Sequence, residues 1–197
     1  MVFIISAPSG AGKTTIRSHL LSRNPHLKFS VSHTTRRPRP GEKNGKDYHF
    51  VDREEFLRLT RKRGFLEWAE IHGELYGTGR PALEKLISSG KDVLVEVDFQ
   101  GQARFKKTRP EAVSIFIVPE SLAELKQRLR KRGTENPSEL RTRLKRARVE
   151  LSKVKYYDYV VVNQEKKIAL AVRKIEAIIT AEHCRRKMEQ GLISFRS

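Results

Sequence analysis

Residues Val2-Phe3-Ile4-Ile5-Ser6 form an unbroken apolar run that leads directly into Ala7-Pro8-Ser9-Gly10-Ala11-Gly12-Lys13-Thr14. No other stretch limits the fold as strongly. Such a run suits a strand buried on both faces of a parallel sheet. The glycines after it let backbone N–H groups turn inward around phosphate oxygens, and the helix starting at Thr14 adds the positive end of its dipole. The segment fits the GxxxxGKT phosphate-loop pattern except at its first position, where Ala7 stands for glycine. In that pattern Lys13 reaches the β and γ phosphates of a nucleoside triphosphate and Thr14 holds Mg²⁺. A plain strand-to-helix turn with an exposed lysine is the competing reading. The agreement of the GAGKTT core with both flanks disfavours it.

The rest of the chain continues in the same style. Further strands are expected at Val93 to Val97, Ser114 to Val118 and Tyr159 to Val162, separated by stretches long enough for helical crossovers. Helices are expected over Thr14 to Ser22, Arg53 to Lys62, Arg80 to Ser89, Ser121 to Arg132, Pro137 to Val154 and Lys166 to Glu189. This alternation predicts an α/β fold of the P-loop NTPase type, a parallel sheet core flanked by helices. From about Ser30 to Gly79 the pattern changes to short strands, including Tyr48 to Val51 and Phe65 to Ile71, with turns and one helix. That reads as an inserted subdomain. The predicted division is a core of residues 1–29, 80–125 and 149–197, an insertion of 30–79 and a basic lid of 126–148. At 197 residues these make one domain.

Charge narrows the partners. The chain has 41 Lys plus Arg against 23 Asp plus Glu, a formal +18, and so expects anionic ligands. Ten basic residues fall between Lys126 and Arg148 (Lys126, Arg128, Arg130, Lys131, Arg132, Arg141, Arg143, Lys145, Arg146 and Arg148) against Glu135 and Glu139. Much of the excess is expected where anionic substrates are gripped. What remains, such as Arg61-Lys62-Arg63, Lys106-Lys107 and Arg185-Arg186-Lys187, predicts at most nonspecific, salt-sensitive RNA binding. No window approaches the ~18 apolar residues of a membrane span. Cys184 is the single cysteine, which fits a reducing, cytoplasmic setting without a disulfide. His33, His49 and His72 lack metal-ligand spacing.

In the insertion, Ser32-His33-Thr34-Thr35-Arg36-Arg37-Pro38-Arg39-Pro40-Gly41-Glu42 places Arg36 and Arg39 in a stretch stiffened by prolines. Guanidinium forks suit bidentate phosphate binding, whereas a solvated basic face is the bland alternative. With this segment the chain resembles the guanylate kinases. The resemblance runs through SAPSGAGKTT, SVSHTTRRPRPGE, GKDYHF, FLEWAE, YGT, VEVDFQG, RGTE and YDYVVVN, almost the whole chain. It implies a kinase that moves the γ-phosphate of Mg-ATP to GMP, and also to dGMP. By the resemblance Arg36, Arg39 and Tyr48 hold the GMP phosphate with Tyr76 beside them, while Ser32, Glu67 and Thr78 face the guanine. It also assigns catalytic roles to Arg39, Arg132 and Arg143 beside Lys13, and ATP contacts to Ala7 through Thr15, to Arg128 and, at the adenine end, to Asn163.

Physical chemistry supports part of this independently. Guanine presents N1–H and the exocyclic amino group as adjacent donors, which one carboxylate such as Glu67 accepts together, and a hydroxyl such as Ser32 satisfies O6. An exposed-strand salt bridge is the alternative for Glu67. Glu96 and Asp98 sit two residues apart at a strand end, on one side of it, within reach of Mg²⁺ waters or the base edge. A structural salt bridge is their alternative. GMP arrives mainly as a dianion, its second pKa being ~6, so no general base is expected.

Two other readings compete with the kinase. A guanylate-kinase-like binding module without activity is disfavoured by the presence of Lys13, Thr14, Arg39, Arg132 and Arg143. A kinase for another phosphorylated acceptor is disfavoured by Ser32 with Glu67. Either a monomer or a homodimer fits the sequence.

Overall fold

The computed structural model describes residues 1–71, 73–131 and 137–185. Its core is a five-stranded sheet in the order β2-β7-β1-β8-β9, with every neighbouring pair parallel. The strands are β1 (Val2–Ser6), β2 (Leu27–Ser30), β7 (Asp92–Glu96), β8 (Val113–Pro119) and β9 (Tyr159–Asn163). All five residues of β1, at the centre, are buried, as the unbroken apolar run requires. On one face Phe3, Ile5 and Leu94 pack with Ile16 and Leu20 of α1 (Lys13–Arg23) and with Val172 and Ile175 of α7 (Ile168–Cys184). On the other, Ile4, Val93 and Val95 pack with Leu83 of α3 (Arg80–Ser88) and Phe105 of α4 (Phe99–Thr108). Strands turn at their C-terminal edge into loops, and in open parallel sheets that edge carries the ligand.

The inserted segment has its own mixed sheet, order β4-β3-β6-β5, from β3 (His33–Thr34), β4 (His49–Phe50), β5 (Phe65–Ile71) and β6 (Glu74–Gly79). Helix α2 (Arg53–Arg61) closes its small core of Phe56, Phe65 and Leu75. Helix α2 is capped by Asp52, whose side chain accepts from the Glu55 amide. Helices α5 (Leu122–Lys131) and α6 (Pro137–Ser152) pack through Leu125, Leu129 and Ala147.

Four elements depart from the sequence expectation: β2, β3, β6 and α4 go unforeseen. Strands β2 and β3 are four and two residues long, too short for a periodicity to register. The glycines at 77 and 79 disguise β6 as loop, and the glycine at 101 does the same for α4. What starts α4 is Asp98, whose side chain accepts from the Gly101 amide at 2.8 Å. The last helix was expected to reach Glu189; α7 is described to Cys184, and residues 186–197 lie outside the described residues.

Candidate active site

The phosphate loop is held in shape from within and from behind. Gly10 and Gly12 have φ of +89° and +93°, the left-handed region that non-glycine residues rarely enter. The Ala11 amide donates to Pro8 O at 3.0 Å, and α1 starts at Lys13 with Gly12 as its cap. Behind the loop, Asn163 Nδ2 donates to the Ala11 carbonyl at 2.7 Å, and Arg128 reaches the same carbonyl at 3.3 Å while donating to Asn163 O at 2.8 Å. A Cβ on Gly12 would lie 2.4 Å from Asn163 Nδ2. Arg128 and Asn163 were both expected to face ATP. Their described contacts brace the loop.

In front of the loop lies a cleft of about 260 Å³. Ala7, Pro8, Ser9, Gly10, Gly12, Lys13, Thr14 and Thr15 line one wall, and Arg36, Arg39, Tyr48 and Tyr76 of the insertion line the other. Segments far apart in sequence thus meet across the sheet's C-terminal edge. Ala11 is fully buried and takes no part in the lining. From α6, Arg143 reaches across to donate to Ser9 Oγ at 2.9 Å. Arg146 and Glu150 of the same helix also line the cleft. Arg132 lies outside the described residues.

A second, smaller cavity of about 100 Å³ shares Lys13, Tyr48, Ile71, Tyr76, Glu96 and Asp98 with the first, and adds Ser32 and Glu67. Glu67 is buried, and its Oε1 accepts from Thr78 Oγ1 at 2.6 Å. This is no exposed-strand salt bridge. Burial pushes the Glu67 carboxyl up to about 7; the Thr78 bond opposes that and the nearby Asp98 charge adds to it. Thr78 does not line the cavity but aims Glu67. Ser32 Oγ is buried with no hydrogen-bond partner among the described residues, as are Glu96 Oε1 and Asp98 Oδ2. Buried polar atoms left so are rare in folded proteins. Three of them around one cavity mark it as a place where a polar ligand completes the bonding.

The electrostatics are finely balanced. Lys13 Nζ lies 3.8 Å from Glu96 Oε2. Burial, the largest single influence, would lower Lys13, but the surrounding Glu96, Tyr48, Asp98 and Glu150 together outweigh it and hold the ammonium above the usual lysine range. Arg36 is gripped by both oxygens of Glu42 at 2.9 Å and sits over the Tyr48 ring at 5.5 Å. Glu42 also accepts from the Arg39 amide at 2.8 Å, which ties the two arginines' loop together. Arg146 lies 3.8 Å from Asp98 Oδ2 and 3.2 Å from Glu150 Oε1. Asp98 is therefore both the α4 cap, which sequence did not suggest, and a cleft-lining carboxylate, and its ion pair with Arg146 matches the salt-bridge alternative.

The expected charge distribution needs correcting. The first cleft is lined by five cations, Lys13, Arg36, Arg39, Arg143 and Arg146, against Glu96, Asp98 and Glu150. That is a small share of +18. Among the described residues of 126–148, only Arg143 and Arg146 are basic residues that line the cleft, while Lys126, Arg130, Arg141, Lys145 and Arg148 are exposed. Sequence reading also passed over Glu42, Arg146 and Glu150 as site residues. For Arg146 the signal was its i+3 spacing from Arg143, which puts both on one helix face.

Among the described residues no group of three or more acidic, histidine or cysteine side chains forms a metal site, and no helix is long and apolar enough to cross a membrane. Comparison with known proteins agrees with the geometry. The sequence matches the guanylate kinase family profile over residues 1–182. It is 48% identical to the guanylate kinase of Desulfitobacterium hafniense (strain Y51), covering 95% of this chain and 92% of that one. It is 47% identical to that of Aromatoleum aromaticum, covering 93% and 89%. The crystal structure of guanylate kinase from Anaplasma phagocytophilum superposes with a TM-score of 0.77 at 39% identity, covering 94% of this chain and 87% of that one. A phosphate loop facing a cleft and a second polar cavity, in a chain so close to these relatives over nearly its full length, is that of a member of the guanylate kinase family.

Proposed function

We propose that this chain transfers the γ-phosphate of ATP to GMP, and to dGMP, yielding ADP and the guanosine diphosphate. The observation that carries this reading is the buried Glu67 carboxylate, aimed by Thr78 into a base-sized cavity that opens onto the phosphate loop. In the ionised form, Glu67 accepts from N1–H and the amino group of guanine. Adenine has neither N1–H nor a 2-amino group, so it leaves the carboxylate unpaired, and sites of this kind reject such analogues by ~10⁴ or more in favourable cases. Ser32 supplies the hydroxyl for O6.

The acceptor phosphate then falls between Arg36, Arg39, Tyr48 and Tyr76, and the donor triphosphate lies on the loop with Lys13 and Thr15. One GMP oxygen, already unprotonated at neutral pH, attacks the γ phosphorus in line, and the bond from that phosphorus to the β–γ bridging oxygen breaks. ADP leaves with the electron pair. Charge spreads over the transferring group's oxygens, and Lys13, Arg39 and Arg143 are the described cations placed to meet it. The Ser9–Arg143 bond shows that α6 reaches the loop, so closure of residues 126–148 over ATP brings cations in and drives water out. Arg132 belongs to the same proposed set.

Mg²⁺ fits the donor set present: Thr14 lines the cleft, and the Glu96 and Asp98 carboxylates offer hard oxygens, Glu96 Oε1 having no hydrogen-bond partner among the described residues. Held there, Mg²⁺ would supply positive charge against the triphosphate as charge develops in transfer. The test is ADP release from Mg-ATP with GMP, dGMP, AMP, UMP and CMP supplied separately, against a no-acceptor control. Activity confined to the guanine acceptors is expected. Equal rates with AMP would remove the Glu67 assignment, and silence with all five would leave only a binding module.

A further inference from the structure

Arg17 is the only buried lysine or arginine among the described residues, at 6% exposure. It follows Lys13 by four residues on α1, so both side chains leave the helix on one face. Its guanidinium makes three contacts. Nη2 donates to Asp47 Oδ1 at 2.9 Å, Nη1 lies 3.6 Å from Glu96 Oε2, and the guanidinium carbon lies 4.5 Å from the centroid of the Phe29 ring. Burying a cation is expensive unless it is paired, and here both partners belong to the acceptor side. Glu96 lines both the cleft and the base cavity. Asp47 immediately precedes Tyr48, which also lines both, and its Oδ2 accepts from the Lys43 amide at 3.0 Å, closing the turn that presents Tyr48. A planar fork is suited to hold two carboxylates at once, which a lysine's single point charge does less well.

We propose that Arg17 is a positioning residue: it fastens the Asp47–Tyr48 turn and Glu96 to the helix that grows out of the phosphate loop, and so fixes where the acceptor phosphate sits relative to the donor. It touches neither substrate. Its second effect is on Lys13, which shares Glu96 Oε2 with it; with Arg17 present, Glu96 is neutralised without drawing Lys13 away from the loop. The inference rests on the acceptor being GMP, as proposed above.

The test measures kcat and both KM values for Arg17→Met, Arg17→Lys, Asp47→Asn and the Arg17→Met/Asp47→Asn pair, with melting curves for each. Coupling energies between hydrogen-bonded charged residues put the expected rise in GMP KM at roughly tenfold for Arg17→Met and for Asp47→Asn. The ATP KM moves much less, Arg17→Lys recovers part of the loss, and the double variant is no worse than the poorer single. A merely structural arginine lowers the melting temperature but does not separate the two KM values. Asp47 is partly exposed, so Asp47→Asn reads the same link if Arg17→Met fails to fold. Equal changes in both KM values, or penalties that multiply in the double variant, overturn the proposal. A wild-type protein that leaves GMP unphosphorylated overturns the acceptor reading itself and this inference with it, whereas an active wild type whose GMP KM survives both substitutions removes only the role of Arg17.

Discussion

Replacing Glu67 with glutamine probes base recognition and stability at once, in opposite directions. Glutamine is nearly the same size and can still turn its carbonyl toward the Thr78 hydroxyl, now 2.6 Å from Oε1. Its amino group must then face the cavity, where guanine also presents donors. Two hydrogen bonds to a charged acceptor are lost, each worth ~1.5–3 kcal/mol, so GMP binding should weaken by roughly 10²–10⁴. Stability moves the other way. Burial raises the Glu67 carboxyl from 4.5 to about 7. A group whose folded value is raised stabilises the fold fully below its unfolded value and loses that contribution as pH climbs through the folded one. At ~1.4 kcal/mol per unit, the wild type should forfeit about 3 kcal/mol between pH 4.5 and 7 that Glu67→Gln does not. For a chain of this size that corresponds to a melting-temperature gap of about 6–12 °C at pH 8, closing toward pH 4.5. Calorimetric melts across that range, with GMP titrations at pH 8, read both effects. If the variant binds GMP within twofold of wild type, or if the melting gap does not change with pH, the reasoning about Glu67 is refuted.

Other expectations follow from particular contacts. Gly12→Ala forces a side chain into φ +93° with its Cβ 2.4 Å from Asn163 Nδ2, so ATP binding should fall by more than tenfold in a nucleotide titration, at an intrinsic backbone cost of ~1–2 kcal/mol. Gly101→Ala places a Cβ 2.8 Å from Glu67 Oε2 and 2.9 Å from Val97 Cβ; the GMP KM should rise while the ATP KM holds, which steady-state kinetics would show. His33, pushed down to about 4 by burial and by the neighbouring His49, is neutral in the fold. Its contribution is present above pH 6.5 and is lost as pH falls toward 4, so a His33→Phe variant should melt with less acid sensitivity than wild type over that interval.

How much of this was legible beforehand depends on the range of the interaction. The phosphate loop, β1 and α1 are local: an apolar run, glycines and a helix start lie within about twenty residues, and sequence showed them. Arg36, Arg39, Tyr48 and Tyr76 could be named beforehand as residues facing the loop because their motifs are dense in polar and proline residues. What sequence withheld is pairing between distant segments. Nothing near Arg128 or Asn163 announces that both turn to the Ala11 carbonyl, 117 and 152 residues away. Nothing near Glu42 says that its carboxylate, rather than solvent, occupies Arg36. Asp98 looked like one of a pair of strand-end carboxylates, whereas its backbone has already left the strand to start α4. Short strands such as β3 exist only because β6 is there to pair with them.

The net charge calls for a different explanation from the one composition invites. If +18 served mainly to grip two nucleotides, the cleft would hold most of it. Instead its lining carries five cations against three carboxylates. Arg141, Lys145 and Arg148 recur at helical spacing on the exposed face of α6, well round the helix from the cleft-lining Arg143. Exposed like charges of this kind act at a distance: they raise the local concentration of anions and speed their arrival, by 10–10³ in strongly focused cases, over a range set by the ~10 Å screening length at 0.1 M salt. Such a field acts on encounter and not on chemistry. Raising NaCl from about 20 to 200 mM should therefore lower kcat/KM for GMP several-fold and leave kcat nearly unchanged. The triple substitution Arg141→Gln, Lys145→Gln and Arg148→Gln should flatten that salt dependence without altering kcat. Should the triple variant keep the wild-type salt slope, the steering would have to come from the cleft's own cations, and the outer charge would play no part in catalysis.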